Sequence, residues 1–173
     1  MIDAENRLAY TEEMETSIRA SFIEAATLIL NEIGFTGLSV GNTKDDSRER
    51  IDMIAAIGLV GDLKGHFVIS IGSNSILSFV KSVSGHLEMH NENPDDPHYR
   101  KALLGEITNQ IGGRAVALLS LKGIECMITP PTVITGQGVE TALPEADDRL
   151  TFPVWGTFGR FDCAIALKRS KVI

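Results

Sequence analysis

The sequence predicts an α+β fold, a mainly antiparallel sheet of about six strands with helices packed on one face. Three observations lead there. Residues 22–33 and 104–118 repeat apolar side chains at three- and four-residue steps, as helices that bury one stripe do. Runs 51–60 with 66–71, and 150–155 with 160–167, are apolar and joined by short links bounded by glycine, as antiparallel hairpins are. A length of 173 residues, 43% apolar and 23% charged, suits one domain with a substantial core.

Residues 1–16 read as a flexible arm and 17–173 as a single domain. Thr16 or Ser17 is the expected cap of a first helix. Phe22, Ala25, Ala26, Ile29 and Ile33 form its stripe, and Gly34 stops it. Residues 38–43 form a short strand and the charged stretch 44–50 a turn. The hairpin of 51–60 and 66–71 closes around Gly61-Asp62-Leu63-Lys64-Gly65. That link lacks the Lys-Ser/Thr pair and the following helix that a phosphate-cradling loop requires. Ser73 or Ser75 starts a second helix through Ile76, Leu77, Val80 and Val83, ending at Gly85.

The acidic stretch 86–97, with two prolines, is a connector. His86 and His90 lie at i and i+4, with Glu88, Asp95, Asp96 and His98 nearby, so a divalent cation is the alternative occupant. The order HLEMH is not H-E-x-x-H, and the prolines place most of these groups in a loop; no metal site is assigned. After a central helix, 123–135 reads as an extended run broken by Pro130-Pro131, hence a bulge, bend or sheet edge. Residues 136–148 are a loop. The last hairpin turns at Gly156-Thr157-Phe158-Gly159, and a short basic tail, 168–173, follows. Trp155, Phe158 and Phe161 belong to the core or an interface rather than to a stacking platform for bases.

The central helix, 101–121 (KALLGEITNQIGGRAVALLSL), carries the pattern that bears on function. Leu104, Ile107, Ile111, Ala115 and Leu118 form its buried stripe. At roughly 100° per residue, Ala102, Gly105, Glu106, Asn109, Gly112, Gly113 and Val116 gather on the other side. Glycine inside a helix costs about 1 kcal/mol relative to alanine, and asparagine is also a poor interior helix former. A helix face that accepts both is suited to close approach by another surface. Glu106 and Asn109, at i and i+3, project side by side. The carboxylate can hold a cation. The amide, with one acceptor and two donors, can orient a water without ionising. That pairing suits phosphoryl hydrolysis, in which positioning carries most of the catalysis. By spacing alone, a solvated helix with a polar back is the preferred reading.

The segment GEITNQIGGRA resembles the E-x-x-N motif of the CheX/CheC/FliY phosphatases, which dephosphorylate the chemotaxis response regulator CheY. Residues 57–70 (IGLVGDLKGHFVIS) resemble the hairpin that precedes the motif in the CheX type, and 22–40 its first helix and following strand. The resemblance implies catalytic roles for Glu106 and Asn109. It also implies close contact with the partner at Gly105, Gly112 and Gly113. The partner would be a phosphorylated CheY-like receiver domain, which supplies the Mg²⁺, so no cofactor of its own is needed. A homodimer joined through its sheets is implied too. Glu24 and Thr27 repeat the i, i+3 spacing in the first helix, a CheC/CheX-like pseudo-repeat, but a hydroxyl stands where the amide is needed, so that helix is read as a structural copy. Two positions depart from the family pattern: Ala102, where Asp or Ser is frequent, and Gln110, where an apolar residue is frequent. A non-catalytic dimeric adaptor binding a receiver through the same helix is the alternative function.

The net charge of −7 argues against a nucleic-acid partner held through phosphates and suits a partner with a basic patch. No apolar run approaches the ~20 residues of a membrane helix. The N-terminal stretch is acidic, with no apolar core of a signal peptide, and a cytoplasmic location is expected. Cys126 and Cys163 have no metal spacing and read as buried reduced thiols.

Overall fold

A computed structural model describes residues 11–41, 50–86, 93–139 and 145–168. The elements run α1 (Glu12–Glu32), β1 (Ser39–Val40), β2 (Ile51–Gly61), β3 (Lys64–Gly72), α2 (Ser73–His86), α3 (Pro97–Ser120), β4 (Cys126–Ile128), β5 (Thr132–Thr135), β6 (Asp148–Gly156) and β7 (Gly159–Lys168). All strand pairs are antiparallel. The sheet order is β1-β6-β7-β3-β2-β4, with β5 also on β2. β4 and β5 share one edge: β4 pairs with Leu59–Gly61 and β5 with Met53–Ala56. They are one strand interrupted by Pro130-Pro131, which donate no ladder hydrogen bonds. At the interruption the Gly58 N–H donates to Thr129 Oγ1 at 2.8 Å, and the Thr129 N–H donates to Gly58 O at 3.0 Å. The expected sheet of about six strands is therefore present, its edge strand divided in two.

The order also reads alike from both ends. Exchanging α1 with α3, β1 with β4/β5, β2 with β6 and β3 with β7 reverses the sequence of strands and leaves the sheet unchanged. The helix-then-strands pseudo-repeat is thus a pseudo-twofold, in which each half lends its edge strand to the other half's hairpin.

One face of the sheet, bearing Ala55, Ile57, Phe67, Ile69, Phe152, Cys163 and Ile165, joins Phe22, Leu30, Val80, Ile107 and Ile111 of the helices in a single core cluster. Its aromatic centre is Phe35, Phe79, Phe158 and Phe161. Phe35 stacks on Phe79 with centroids 5.1 Å apart, and Phe158 on Phe161 at 5.3 Å. Phe158 and Phe161 are core residues, as the sequence predicts. Trp155 is half-buried beneath the Arg160 guanidinium, 4.9 Å from its ring centre, and Arg160 also binds Asp162 at 2.7 Å.

Several boundaries differ from expectation. α1 starts at Glu12 and not after Thr16, because Thr11 is its cap and accepts the Met14 N–H at 3.2 Å. Glu12, Glu13 and Glu15 then lie in the first turn, near the positive end of the helix dipole. Residues 12–16 are therefore helical, and the rest of the expected arm, 1–10, lies outside the described residues. α3 begins at Pro97, because Asp96 accepts the His98 N–H at 2.9 Å and a proline fits the first helical position. β1 covers only Ser39–Val40, and residues 42–43 of the expected strand lie outside the described residues.

Candidate active site

α3 is held on two sides, by α1 and by the β2–β4–β5 edge of the sheet. This double packing sets which residues face outward. Leu104, Ile107, Ile111 and Ala115 are buried, as the sequence predicts. Gly105, Thr108 and Gly112 are buried as well. Sheet side chains cover both glycines. A Cβ at Gly105 would stand 3.2 Å from Val133 Cγ2 and 3.7 Å from Pro131 Cγ, and one at Gly112 would overlap Ile57 Cδ1. Gly105 and Gly112 therefore admit the chain's own sheet, which corrects the expectation that they meet another molecule. Gly113 is half-buried, with its nearest neighbour, Ile128 Cδ1, 3.9 Å from the Cβ position. It alone of the three keeps an outward aspect.

The exposed face is consequently turned by most of one residue step (~100°) from the expected one. It comprises Ala102, Glu106, Gln110, Arg114 and Ala117. Apolar periodicity marks only the stripe of large side chains. The second contact surface, made through glycine and threonine, leaves no hydropathic trace. Thr108 Oγ1 donates to Leu104 O at 2.7 Å, which lets a polar residue sit there fully buried.

Glu106 is exposed and Asn109 half-buried at the margin of this face. One turn from Gly105 and short of Gly112, Asn109 stands between the places where α3 touches Pro131 and Ile128. The Asn109 amide makes no hydrogen bond to any described residue. Glu106 Oε1 accepts a hydrogen bond from Gln110 Nε2 at 2.7 Å. The neighbouring cation, Arg114, pairs with Glu32 of α1 at 3.1 Å and is taken up there. An exposed carboxylate and an amide, without a cation and without a partner respectively among the described residues, thus lie next to each other on a helix surface.

In α1, Thr27 Oγ1 donates to Ile23 O at 2.9 Å, so the hydroxyl at the equivalent position is tied to its own backbone. Of the candidate cation ligands, those at 86–90 have side chains outside the described residues. Asp95 pairs with Arg100 at 3.3 Å, and Asp96 caps α3. Among the described residues no group of three or more His, Cys, Asp or Glu side chains converges. An open cavity of about 290 Å³ is lined by Arg50, Asp52, Ser73, Asn74 and Gln137, none of them on α3. Glu106, exposed, and Asn109, half-buried, stand on the outer surface of α3.

The architecture is that of the CheC-like proteins. The chain superposes on the CheC-like superfamily protein of Shewanella sp. PV-4 with a TM-score of 0.74 and 23% identity, covering 88% of this chain and 98% of that one. It also superposes on CheX in the CheX–CheY–BeF₃–Mg²⁺ complex of Borrelia burgdorferi, with a TM-score of 0.69 and 23% identity over 87% and 97% of the two chains. Within this class the chain belongs to the CheX family: the family model described as chemotaxis phosphatase CheX matches residues 53–154, more than half of the sequence. It is 26% identical over 88 residues to the CheY-P phosphatase CheX of Thermotoga maritima, a match that takes in 51% of this chain and 54%, about half, of that protein. No helix among the described residues is long and apolar enough to cross a membrane.

Proposed function

We propose that the chain hydrolyses the aspartyl phosphate of a phosphorylated CheY-like receiver domain. The observation that carries this reading is the placement of Glu106 and Asn109 side by side on the outer margin of α3, the amide free of hydrogen bonds to any described residue. Asn109 enters the receiver's site and orients a water for in-line attack on phosphorus. The water oxygen bonds to phosphorus as the bond to the aspartyl oxygen breaks, leaving a free carboxylate and inorganic phosphate. Glu106 meets the receiver's lysine and fixes the approach. Mg²⁺ belongs to the receiver and offsets the phosphoryl charge, so α3 supplies position rather than a metal or a nucleophile. Gly113 admits the receiver's surface beside Asn109. Membership of the CheX family supports the reading, as does the existence of a CheX–CheY complex in Borrelia.

The chain works as a homodimer in the cytoplasm. Support for the dimer comes from the helix-free face of the sheet, where Val60, Met127 and Ile134 are 48%, 70% and 54% exposed. The cross-strand partners Val60 and Met127 stand together on it, with Ile134 further along the same edge.

The test is the lifetime of the phosphorylated receiver with Mg²⁺ present. Wild-type chain shortens it, and Asn109→Ala lowers the stimulated rate about 100-fold or more while the fold is retained, as for loss of one catalytic hydrogen-bonding group. An equal lifetime with wild type, with the variant and without either overturns the reading. Binding that leaves the lifetime unchanged would make the chain an adaptor.

A further inference from the structure

We propose that Gln110 is a positioning residue for Glu106, holding its carboxylate in the orientation that receives the partner's cation. The inference rests on the receiver-binding role of Glu106 given above. Gln110 Nε2 lies 2.7 Å from Glu106 Oε1, across one helical turn. Both residues are exposed, so water would satisfy the same polar atoms if the bond were absent, and it adds little to the stability of the fold. What it changes is freedom. A free glutamate samples many rotamers, and fixing one on binding opposes association; a side chain already fixed escapes that penalty.

The chemistry of the donor matters as much as its reach. An amide donates without charge, so Glu106 keeps its full negative charge for a cation outside the chain. A lysine at the same i+4 position would orient the carboxylate but also neutralise it. Arg114, the cation on the same face, is drawn aside to Glu32 at 3.1 Å, and Glu106 has no ion pair with any described residue. Gln110 lies on the exposed face and Asn109 at its margin, and the clip takes up no hydrogen-bonding atom of the Asn109 amide. The position that departs from the family's apolar preference is therefore put to use.

The experiment compares wild type, Gln110→Leu, Glu106→Ala and the double variant, using the full chain. Leucine removes the donor but keeps the bulk and favours the helix; circular dichroism verifies folding. Affinity is measured for a receiver domain loaded with beryllium fluoride and Mg²⁺, and turnover for the phosphorylated receiver. Gln110→Leu is expected to raise Kd and KM roughly two- to fivefold, the scale of one exposed charge-assisted hydrogen bond, with kcat changed less than about twofold. In the Glu106→Ala background the same substitution is expected to change nothing further. Unchanged Kd and KM, an effect that persists without Glu106, or a fall in kcat alone overturns the proposal. A wild type that binds but does not hydrolyse overturns the phosphatase reading while the affinity arm still judges Gln110. A wild type that does neither overturns both.

Discussion

Gly112 and Gly113 are neighbours in sequence and opposites in surroundings. A methyl group at Gly112 would overlap Ile57 Cδ1 and force that side-chain end to shift within the core, whereas at Gly113 the nearest atom is 3.9 Å away. Alanine in place of glycine gains about 1 kcal/mol of helix propensity at either site. At Gly112 overpacking exceeds that gain, so Gly112→Ala should destabilise by a net ~1–2 kcal/mol. Gly113→Ala should stabilise by up to ~1 kcal/mol and yet lower turnover if the receiver docks as proposed, because the added methyl group would then stand in its path. Urea titrations of the two variants, read beside the phosphate-loss rate, check both signs. The thiols give a second residue-scale prediction. Burial, and then the charge of Asp162, raises the Cys163 thiol well above its usual value. Cys126, half-buried, is raised by burial and then by Asp62 and Glu125. A thiol that holds its proton more tightly when folded stabilises the chain fully below the usual thiol range and loses that contribution as pH rises through the folded value. Above about pH 9, wild type should therefore lose stability with pH more steeply than Cys163→Ala. Unfolding free energies measured between about pH 8 and 10.5 test the difference in slope.

At the scale of elements, α3 combines a firm start with a middle that carries the proposed site. Asp96 and Pro97 set its first turn, and Glu106 comes more than two turns later. Asp96→Ala should cost about 1 kcal/mol of stability and leave turnover within about twofold, since only the first turn frays; thermal unfolding and the phosphate-loss assay separate the two effects. The divided edge strand has a comparable division of labour. β4 and β5 complete β2, while Pro130 and Pro131 between them donate no ladder hydrogen bond and Pro131 lies beside α3 at Gly105. Prolines at that point also remove donors that a foreign strand would need to extend the sheet.

At the scale of the whole molecule, α1, α2 and α3 lie on one side of a single sheet and the other side carries exposed apolar side chains at one edge. If this side joins two copies, Met127→Glu combined with Ile134→Glu should convert the dimer to monomers in sedimentation, without unfolding either. A wild type that sediments as a monomer at micromolar concentration would remove the dimer from the account. The net charge of −7 adds a general attraction toward a basic docking face, felt mainly in association rate and weakened by salt.

The helices, both hairpins, the proline interruption and the placement of Glu106 beside Asn109 were legible in the residues alone. Each rests on a local signal: a 3.6-residue stripe, an apolar run closed by glycines, missing donors, an i, i+3 spacing. Tertiary structure decided three other matters. It placed β1 at the edge opposite the proline-broken strand, because pairing β1 with β6 depends on contacts distant in sequence. It turned the exposed face of α3 toward Gln110, because α3 packs against both α1 and the sheet. It also assigned Gly105 and Gly112 to the chain's own sheet. A glycine announces that something comes close; having no side chain, it carries no sign of whether the neighbour is the same molecule or another.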